Sequence, residues 1–177
     1  MHADTVGAVP GRGVWYDIGC GPGLIPGIAS ERGFDATGFD INPESIALAK
    51  KLYPKARFSH KYLEAVLATP DEKPNVISMS SLLFVLPEKA EALNGAWKLL
   101  REGGHLVIIE TTGTMNLRNV VEYSIKQGSF SFALCLWGFA RSGRTVEGVI
   151  TEWARKKNYV AVQNHLGGMV RGWVIRK

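Results

Sequence analysis

Two carboxylates flank a glycine-rich segment near the start of this 177-residue chain. The segment reads Gly-Cys-Gly-Pro-Gly over residues 19–23, and it follows the apolar run of residues 14–18. Asp17 precedes the glycines, and Asp40 follows them in the next apolar stretch. A strand that runs into a glycine-rich turn and a helix brings backbone N–H groups close to a ligand, while an acid at the end of the next strand binds ribose hydroxyls. The pattern predicts a pocket for a nucleoside-bearing cofactor.

The spacing of the glycines distinguishes between two such cofactors. A dinucleotide fingerprint reads Gly-x-Gly-x-x-Gly, whereas residues 19–23 read Gly-x-Gly-x-Gly, and Leu24 stands where the last glycine of the fingerprint would be. Asp17 would repel a pyrophosphate, but it suits a cationic group such as an α-ammonium. Together with Asp40 as a ribose partner, these residues favour S-adenosylmethionine over NAD.

The positions of these residues require an alternation of strands and helices. Helices are expected at 23–32, 45–52, 87–100 and 146–156, and strands at 13–18, 36–39, 56–59, 75–79, 105–109, 159–164 and 169–176. Asn42 is expected as an N-cap with Pro43 at the first helical position. In the helix that follows Pro87, the face carrying Ala90, Leu93, Trp97 and Leu100 is expected to be buried. This pattern is typical of a doubly wound α/β sheet.

The segments 17–23 (Asp-Ile-Gly-Cys-Gly-Pro-Gly) and 38–42 (Gly-Phe-Asp-Ile-Asn) resemble the class I S-adenosylmethionine-dependent methyltransferase family, and within it the small-molecule branch often called type 11. The resemblance covers residues 13–113 well and 146–177 in outline. It implies a Rossmann-like, doubly wound, mostly parallel seven-stranded sheet of order 3-2-1-4-5-7-6 with an antiparallel last strand. It also implies S-adenosyl-L-methionine as the methyl donor. A glycine turn without function is the alternative, and Asp17, Asp40 and the later segments in register disfavour it.

The resemblance assigns the methionine end of the cofactor to the glycine segment. The backbone of Gly19, Cys20, Gly21 and Gly23 would approach the ligand, because glycine permits close approach and positive φ angles. The start of the following helix would favour the carboxylate of the ligand. Asp17 would lie near the ammonium, directly or through water, or would cap N–H groups of its own loop, and the two roles are compatible.

The adenosine end of the cofactor is assigned to the segments after strands two and three. Asp40 would accept hydrogen bonds from both ribose hydroxyls, and Ile41 would offer an apolar surface to the adenine ring. The acidic residue that the family usually has after strand three is missing. Tyr62 stands there instead, to stack on adenine or hydrogen-bond to it, and Leu63 would supply a backbone N–H; Glu64 is a second substitute for the missing acid.

Strand four departs from the family at its start, where Asn75 replaces an aspartate. Its end, residues 78–81, is expected beneath the sulfonium, with the backbone carbonyl or the hydroxyl of Ser80 in contact. These residues read Ser-Met-Ser-Ser rather than Asn-Pro-Pro-Tyr or Asp-Pro-Pro-Tyr. The difference argues against methylation of an exocyclic amine on DNA.

The sequence assigns no catalytic base. Because the sulfonium itself activates the methyl group, a methyltransferase mainly has to align the nucleophile and exclude water. Val85 stands where many small-molecule relatives have a histidine. Glu110 and His165 fall at the carboxyl edge of the sheet and are the weak candidates, with Tyr123 behind them; a structural role is the alternative for each. His105 falls at the opposite edge and is expected to be structural.

Composition favours one domain over residues 1–177, with 46% hydrophobic and 21% charged residues. Within it, 13–113 would be the cofactor-binding core, 114–145 a substrate or lid insertion, and 146–177 a closing helix and β-hairpin.

Cys20 and Cys135 are too few for a disulfide framework and lack metal-ligand spacing, so no metal site is expected. The first ten residues lack a signal-peptide pattern, which favours the cytoplasm. The longest apolar run, 130–140, is too short to span a bilayer.

The insertion 114–145 and the distribution of charge along the chain indicate what kind of molecule could accept the methyl group. Residues 114–177 hold ten basic and three acidic residues, a net charge of +7, against −2 for the rest. This excess suits an acidic substrate, an anionic membrane or a nucleic acid, or it is an ordinary solvated surface. In the insertion, apolar residues are followed by Arg141 and Arg144, which indicates an apolar lid with a basic edge. Such a lid would suit a hydrophobic acceptor that carries a carboxylate or phosphate. The alternatives are an interfacial helix on an anionic membrane and ordinary packing of a helix on the sheet. The apolar residues are Phe130, Phe132, Leu134, Leu136, Trp137 and Phe139.

Strand one is expected so early that no helix is predicted in residues 1–12, although relatives usually carry one or two helices there. The cofactor site would then be open, or a partner subunit of a homodimer would cover it.

The leading interpretation is a methyltransferase acting on a small, hydrophobic or anionic molecule. The alternatives are an RNA or protein methyltransferase, from the basic C-terminal part, and a non-catalytic binding partner with the same fold, from Tyr62, Asn75 and the missing helices.

Overall fold

Seven strands form one sheet in the order β3-β2-β1-β4-β5-β7-β6. Neighbouring strands pair in parallel except β7, which is antiparallel to both β5 and β6. The expected order and the antiparallel last strand are therefore confirmed. The strands are β1 (Val14–Ile18), β2 (Asp35–Asp40), β3 (Arg57–His60), β4 (Val76–Ser80), β5 (His105–Thr111), β6 (Tyr159–His165) and β7 (Val170–Arg176).

Eight α-helices connect or flank these strands in the computed structural model, which describes residues 2–68, 73–128, 131–142, 145–157 and 159–177. Phe130 and Arg144 of the predicted lid lie outside the described residues. In the described part of the chain, none of the helices has the length and apolar character needed to cross a membrane. The helices are α1 (His2–Gly7), α2 (Leu24–Glu31), α3 (Pro43–Leu52), α4 (Leu63–Leu67), α5 (Lys89–Leu99), α6 (Leu117–Lys126), α7 (Phe132–Arg141) and α8 (Glu147–Arg155), and a 3₁₀ turn spans Leu166–Gly168.

Local sequence signals account for most of these boundaries. The Asn42 side chain accepts hydrogen bonds from the N–H groups of Glu44 and Ser45 at 2.8 and 3.0 Å, which confirms it as the N-cap of α3. The helix α4 was not predicted, because five residues are too short to show a helical period.

The predicted buried face of α5 was partly wrong. Leu93 and Leu100 are fully buried as expected, but Ala90 is exposed and Trp97 only partly buried, whereas Ala92 and Ala96 face the core. The buried face of α5 is therefore rotated towards Ala92 and Ala96 relative to the predicted one. Trp97 instead packs edge-on against Trp153 of α8, with ring centroids 5.4 Å apart.

A second difference lies at the start of the chain, where α1 forms although no helix was predicted. Val6 and Val9 are fully buried against the sheet, and they anchor this six-residue helix. Two apolar residues are too few to indicate a helix from sequence, so tertiary packing decides its formation.

The sheet lies between two helical layers. One core contains buried residues from α4, α5 and α8, and the other contains buried residues from α1, α2, α6 and α7. The insertion therefore packs on the sheet through Val120 and Cys135, while Phe132, Leu136 and Phe139 of α7 remain exposed.

The turn from β1 into α2 is held by the end of β2. The N–H groups of Gly19 and Cys20 donate to the carbonyl oxygen of Phe39 at 2.8 and 3.0 Å. Gly23 has a φ of 87°, and a Cβ there would lie 2.7 Å from the Phe58 ring. Gly21 has a φ of 49°, and a Cβ there would point into open space.

A buried polar chain links β1 and β4. The Trp15 Nε1–H donates to Ser78 Oγ at 2.8 Å, and the Ser78 hydroxyl donates to Asp17 Oδ1 at 2.5 Å. Burial raises the pKa of Asp17 to about 7, although the hydrogen bond from Ser78 opposes this and the charge of Asp40 adds to it. Asp17 therefore retains its proton over a range of pH in which the unfolded chain has lost it.

We expect Gly23→Ala to destabilise the fold more than Gly21→Ala. Both substitutions place a side chain at positive φ, at a cost of about 1 kcal/mol, but only Gly23→Ala also pushes a methyl group into Phe58 and Ala49, for about 1–3 kcal/mol more. Urea unfolding of the two variants measures the difference. Equal losses would contradict the close packing of Gly23.

We expect Asp17→Asn to stabilise the protein at pH 8 by a few kcal/mol, and by progressively less as the pH is lowered towards 4. The folded pKa is raised, so the wild type loses stability as the pH rises from about 4 to 7, whereas asparagine cannot ionise and still accepts from Ser78. Urea unfolding at pH 5 and pH 8 tests this. Asp35→Asn, an exposed change at the other end of β2, is the matched control, and a pH-independent effect of Asp17→Asn would contradict the prediction.

Candidate functional site

A cavity of about 410 Å³ opens at the carboxyl edge of the sheet, where β1, β2 and β4 end. This size falls in the range of small-molecule sites. The cavity contains five of the residues predicted to bind the cofactor, namely Gly19, Asp40, Ile41, Leu63 and Ser80. The other five do not line it, and they are Asp17, Cys20, Gly21, Gly23 and Tyr62.

Asp40 connects the two loops beside the cavity. Its Oδ2 accepts from the N–H of Gly21 and its Oδ1 from the N–H of Asn42, each at 2.8 Å. Two backbone donors fix the orientation of the carboxylate. Because each carboxylate oxygen has a second lone pair, both oxygens can still accept a hydrogen bond from a ligand.

The surface beside Asp40 is apolar and open. Ile41 is 59% exposed and lines the cavity together with Leu63, the first residue of α4. Tyr62 precedes α4 and is 62% exposed outside the cavity, where its ring is tilted against His60 with centroids 6.3 Å apart. Glu64 lines a neighbouring cavity rather than this one.

The end of β4 forms the floor of the cavity. Ser80 Oγ lies 3.3 Å from Nε2 of His2, so α1 reaches the edge of the site. Ser81 follows with a φ of 54°, a conformation that non-glycine residues rarely adopt and that is found preferentially at functional sites. At the opposite edge, Asn75 accepts from the N–H of Val14 at 3.0 Å, which gives this departure from the family a structural role between β1 and β4.

Asp17 and Cys20 lie behind the glycine turn. Both side chains are buried, and Asp17 bonds to Ser78, while the loop N–H of Gly21 donates to Asp40. Burial and the neighbouring carboxylates raise the pKa of the Cys20 thiol, so this thiol stays protonated.

Glu110 lies on β5, two strands from the glycine turn. Its side chain is 1% exposed, and its Oε1 accepts from the N–H of Phe84 at 3.2 Å. Arg141, the last residue of α7, stacks on the Phe84 ring with its Cζ 3.6 Å from the centroid. Burial raises the pKa of Glu110, and the hydrogen bond from Phe84 and the charge of Arg141 oppose this shift.

The other ionisable candidates have structural partners. His165 lies at the carboxyl edge as expected, but its Nε2 is 3.0 Å from the hydroxyl of Thr5, and burial lowers its pKa. Tyr123, on α6, packs against Gly167. His105 starts β5 at the opposite edge, as predicted. In the described ranges, no three metal-ligating side chains gather in one place.

Sequence reasoning missed several residues of the cavity wall. Most are apolar and adjoin predicted residues, so the only signal that could have found them was their position at strand ends. Val85, considered only as the place of an absent histidine, is 66% exposed and lines the cavity. The others are Ile18, Phe39, Lys61, Leu82 and Leu86, whereas Ser81 belongs to the segment 78–81 that was expected there.

Comparisons with known proteins agree with this geometry. A family model described as a methyltransferase domain matches residues 16–108, just over half of the chain. The ubiquinone biosynthesis O-methyltransferase of Psychrobacter arcticus is 31% identical over 98 residues, which are 52% of this chain and 38% of that protein. The chain thus spans well under half of the length of this curated relative.

Solved structures share the fold over most of the chain. A SAM-dependent methyltransferase from Archaeoglobus fulgidus superposes with a TM-score of 0.71 at 13% identity, covering 98% of this chain and 90% of that one. The plantazolicin methyltransferase BpumL in complex with SAH gives a TM-score of 0.66 at 17% identity, covering 93% and 76%. With the matched domain, the strand order and the glycine turn beside Asp40, the chain belongs to the class I S-adenosylmethionine-dependent methyltransferase family.

Proposed function

We propose that this chain binds S-adenosylmethionine in the cavity at the carboxyl edge of the sheet and transfers its methyl group to a small molecule. The observation that carries the proposal is the Asp40 carboxylate, fixed by two backbone N–H groups at the cavity wall with free lone pairs on both oxygens. A fixed pair of acceptors matches the two hydroxyls of a ribose.

The other residues around the cavity fit the rest of this cofactor. Ile41 and Leu63 supply an apolar surface for the adenine ring, and Ser80 supplies a polar group at the end of β4. The backbone at Gly21 is not blocked by neighbouring atoms, so a ligand can approach it closely. Asp17 contributes from behind the turn, where a ligand ammonium would favour its ionised form.

When bound, the cofactor supplies a methyl group on a sulfonium, which is already activated for displacement. The protein then has to place an acceptor atom in line and to exclude water. The wall at Leu82, Val85 and Leu86 is apolar, so it suits an acceptor with an apolar body. The matched curated relative carries the name of an O-methyltransferase of ubiquinone biosynthesis, and this supports a small-molecule acceptor with an oxygen nucleophile.

We expect Asp40→Ala to weaken the binding of S-adenosylhomocysteine about 100-fold, because two hydrogen bonds to a charged acceptor are lost. Isothermal titration calorimetry measures the affinity. Asp35→Ala, a carboxylate removed from the exposed start of the same strand, serves as the control and should bind as the wild type does. Circular dichroism checks the fold, since Asp40 also holds Gly21 and Asn42. If the folded Asp40→Ala variant binds S-adenosylhomocysteine as tightly as the wild type does, the proposed site is wrong.

We expect labelled methyl transfer from S-adenosylmethionine to a component of a small-molecule extract, and none to bulk RNA or to protein. Mass spectrometry identifies the product by the gain of one methyl group. Transfer to RNA or protein would support the alternative enzyme, as would an electrophoretic shift of RNA at moderate salt. Cofactor binding without transfer to any of the three would favour the non-catalytic binding partner.

A further inference from the structure

A buried carboxyl group and a partly buried guanidinium, those of Glu110 and Arg141, lie near each other beyond the cofactor cavity, and each has one atom without a partner among the described residues. Oε2 of Glu110 and one guanidinium nitrogen of Arg141, Nη1, are both inaccessible to solvent and make no hydrogen bond within the ranges that the structure describes. Such atoms are costly to bury unpaired, and a mutual ion pair would have satisfied both. Their arrangement leaves an acceptor and a donor free for a third group.

The segment between these two residues and the cofactor cavity is short and apolar. Phe84 contacts both groups, since its N–H donates to Glu110 and its ring carries the Arg141 guanidinium. Its neighbours Leu82 and Val85 line the cavity. Phe84 therefore separates these atoms from the cavity, and a molecule bound in the cavity reaches them when the Phe84 ring moves aside.

We propose that Glu110 and Arg141 bind the reacting oxygen of the methyl acceptor, a phenol-type hydroxyl on an aromatic body, with Arg141 donating to the oxygen and Glu110 receiving its proton. The inference rests on the proposed function and names the acceptor chemistry of that site. Guanidinium groups bind oxyanions and also stack on aromatic faces, and the Phe84 contact is an example of the stacking. An aromatic acceptor would take the place of the Phe84 ring.

The chemistry of the step balances with these two residues. The acceptor hydroxyl gives its proton to Oε2 of Glu110, its oxygen forms the bond to the methyl carbon, and the electron pair of the carbon–sulfur bond leaves with sulfur. Arg141 is the charged group that acts on Glu110, while Glu147 of α8 faces Arg171 and the N–H of Gly113. Burial strengthens Glu110 as a base, and Arg141 keeps its ionised form accessible.

A binding experiment tests the role of Arg141. Protein loaded with S-adenosylhomocysteine is titrated with 2-naphthol and with naphthalene, which lacks the hydroxyl. We expect 2-naphthol to bind at least tenfold more tightly, and Arg141→Gln to abolish this preference without changing the affinity for S-adenosylhomocysteine. Arg118→Gln, an exposed change on α6, is the control. A wild type without the preference, or an Arg141→Gln variant that retains it, would overturn the assignment; a wild type that fails to bind S-adenosylhomocysteine would instead contradict the proposed function.

A kinetic experiment tests Glu110. With 2-naphthol as the acceptor, we expect Glu110→Gln to lower kcat at neutral pH at least about 100-fold with little change in KM. Activity of the variant should recover as the pH approaches the pKa of a free phenol, about 10, because an ionised acceptor needs no base. Glu122→Gln on α6 is the control. Three results would refute the role of Glu110 as the base. The pH profile of Glu110→Gln could match that of the wild type, or its activity could remain low at every pH. The third is that wild-type protein binds S-adenosylhomocysteine but transfers no methyl group to 2-naphthol.

Discussion

The candidate site depends on the carboxylate of Asp40, which joins two loops at the point where β2 ends. By accepting from the N–H groups of Gly21 and Asn42, it fixes the glycine turn relative to the start of α3. The turn is held again by the carbonyl of Phe39, the preceding residue. The end of one strand therefore determines the shape of the loop that leaves its neighbour, and the oxygens that we propose as ribose acceptors are oriented before any ligand arrives.

Buried acids on the two sides of the central strand β4 illustrate a conflict between stability and function. Burial raises the pKa of Asp17 although Ser78 donates a hydrogen bond to it, and Glu110 keeps one oxygen beside Arg141 that has no partner among the described residues. A hydrophobic residue at either position would cost less to bury. Acids persist in such positions when a ligand supplies the missing partner, and perturbed pKa values are accordingly concentrated at functional sites.

Secondary structure was predictable where a residue has a strong local conformational or capping preference. Asn42 caps α3, glycines end β1, and the apolar alternation of strands and helices gives the sheet order once the family resemblance is added. The prediction missed α1 and α4, gave no helix bounds in the insertion, where α6 and α7 form, and placed Ala90 on the wrong face of α5. These elements are too short or too dependent on neighbouring surfaces for their periodicity to specify them.

The sequence by itself determined the glycine turn, Asp40 and hence the class of cofactor, because these features act through backbone geometry over a few consecutive residues. Tertiary structure alone decided which side chains meet at the proposed acceptor site. Glu110 of β5 and Arg141 of α7 are 31 residues apart in the chain, and Phe84 comes from a third segment. Their meeting depends on how the insertion packs against the sheet, and no local pattern in the sequence encodes that packing.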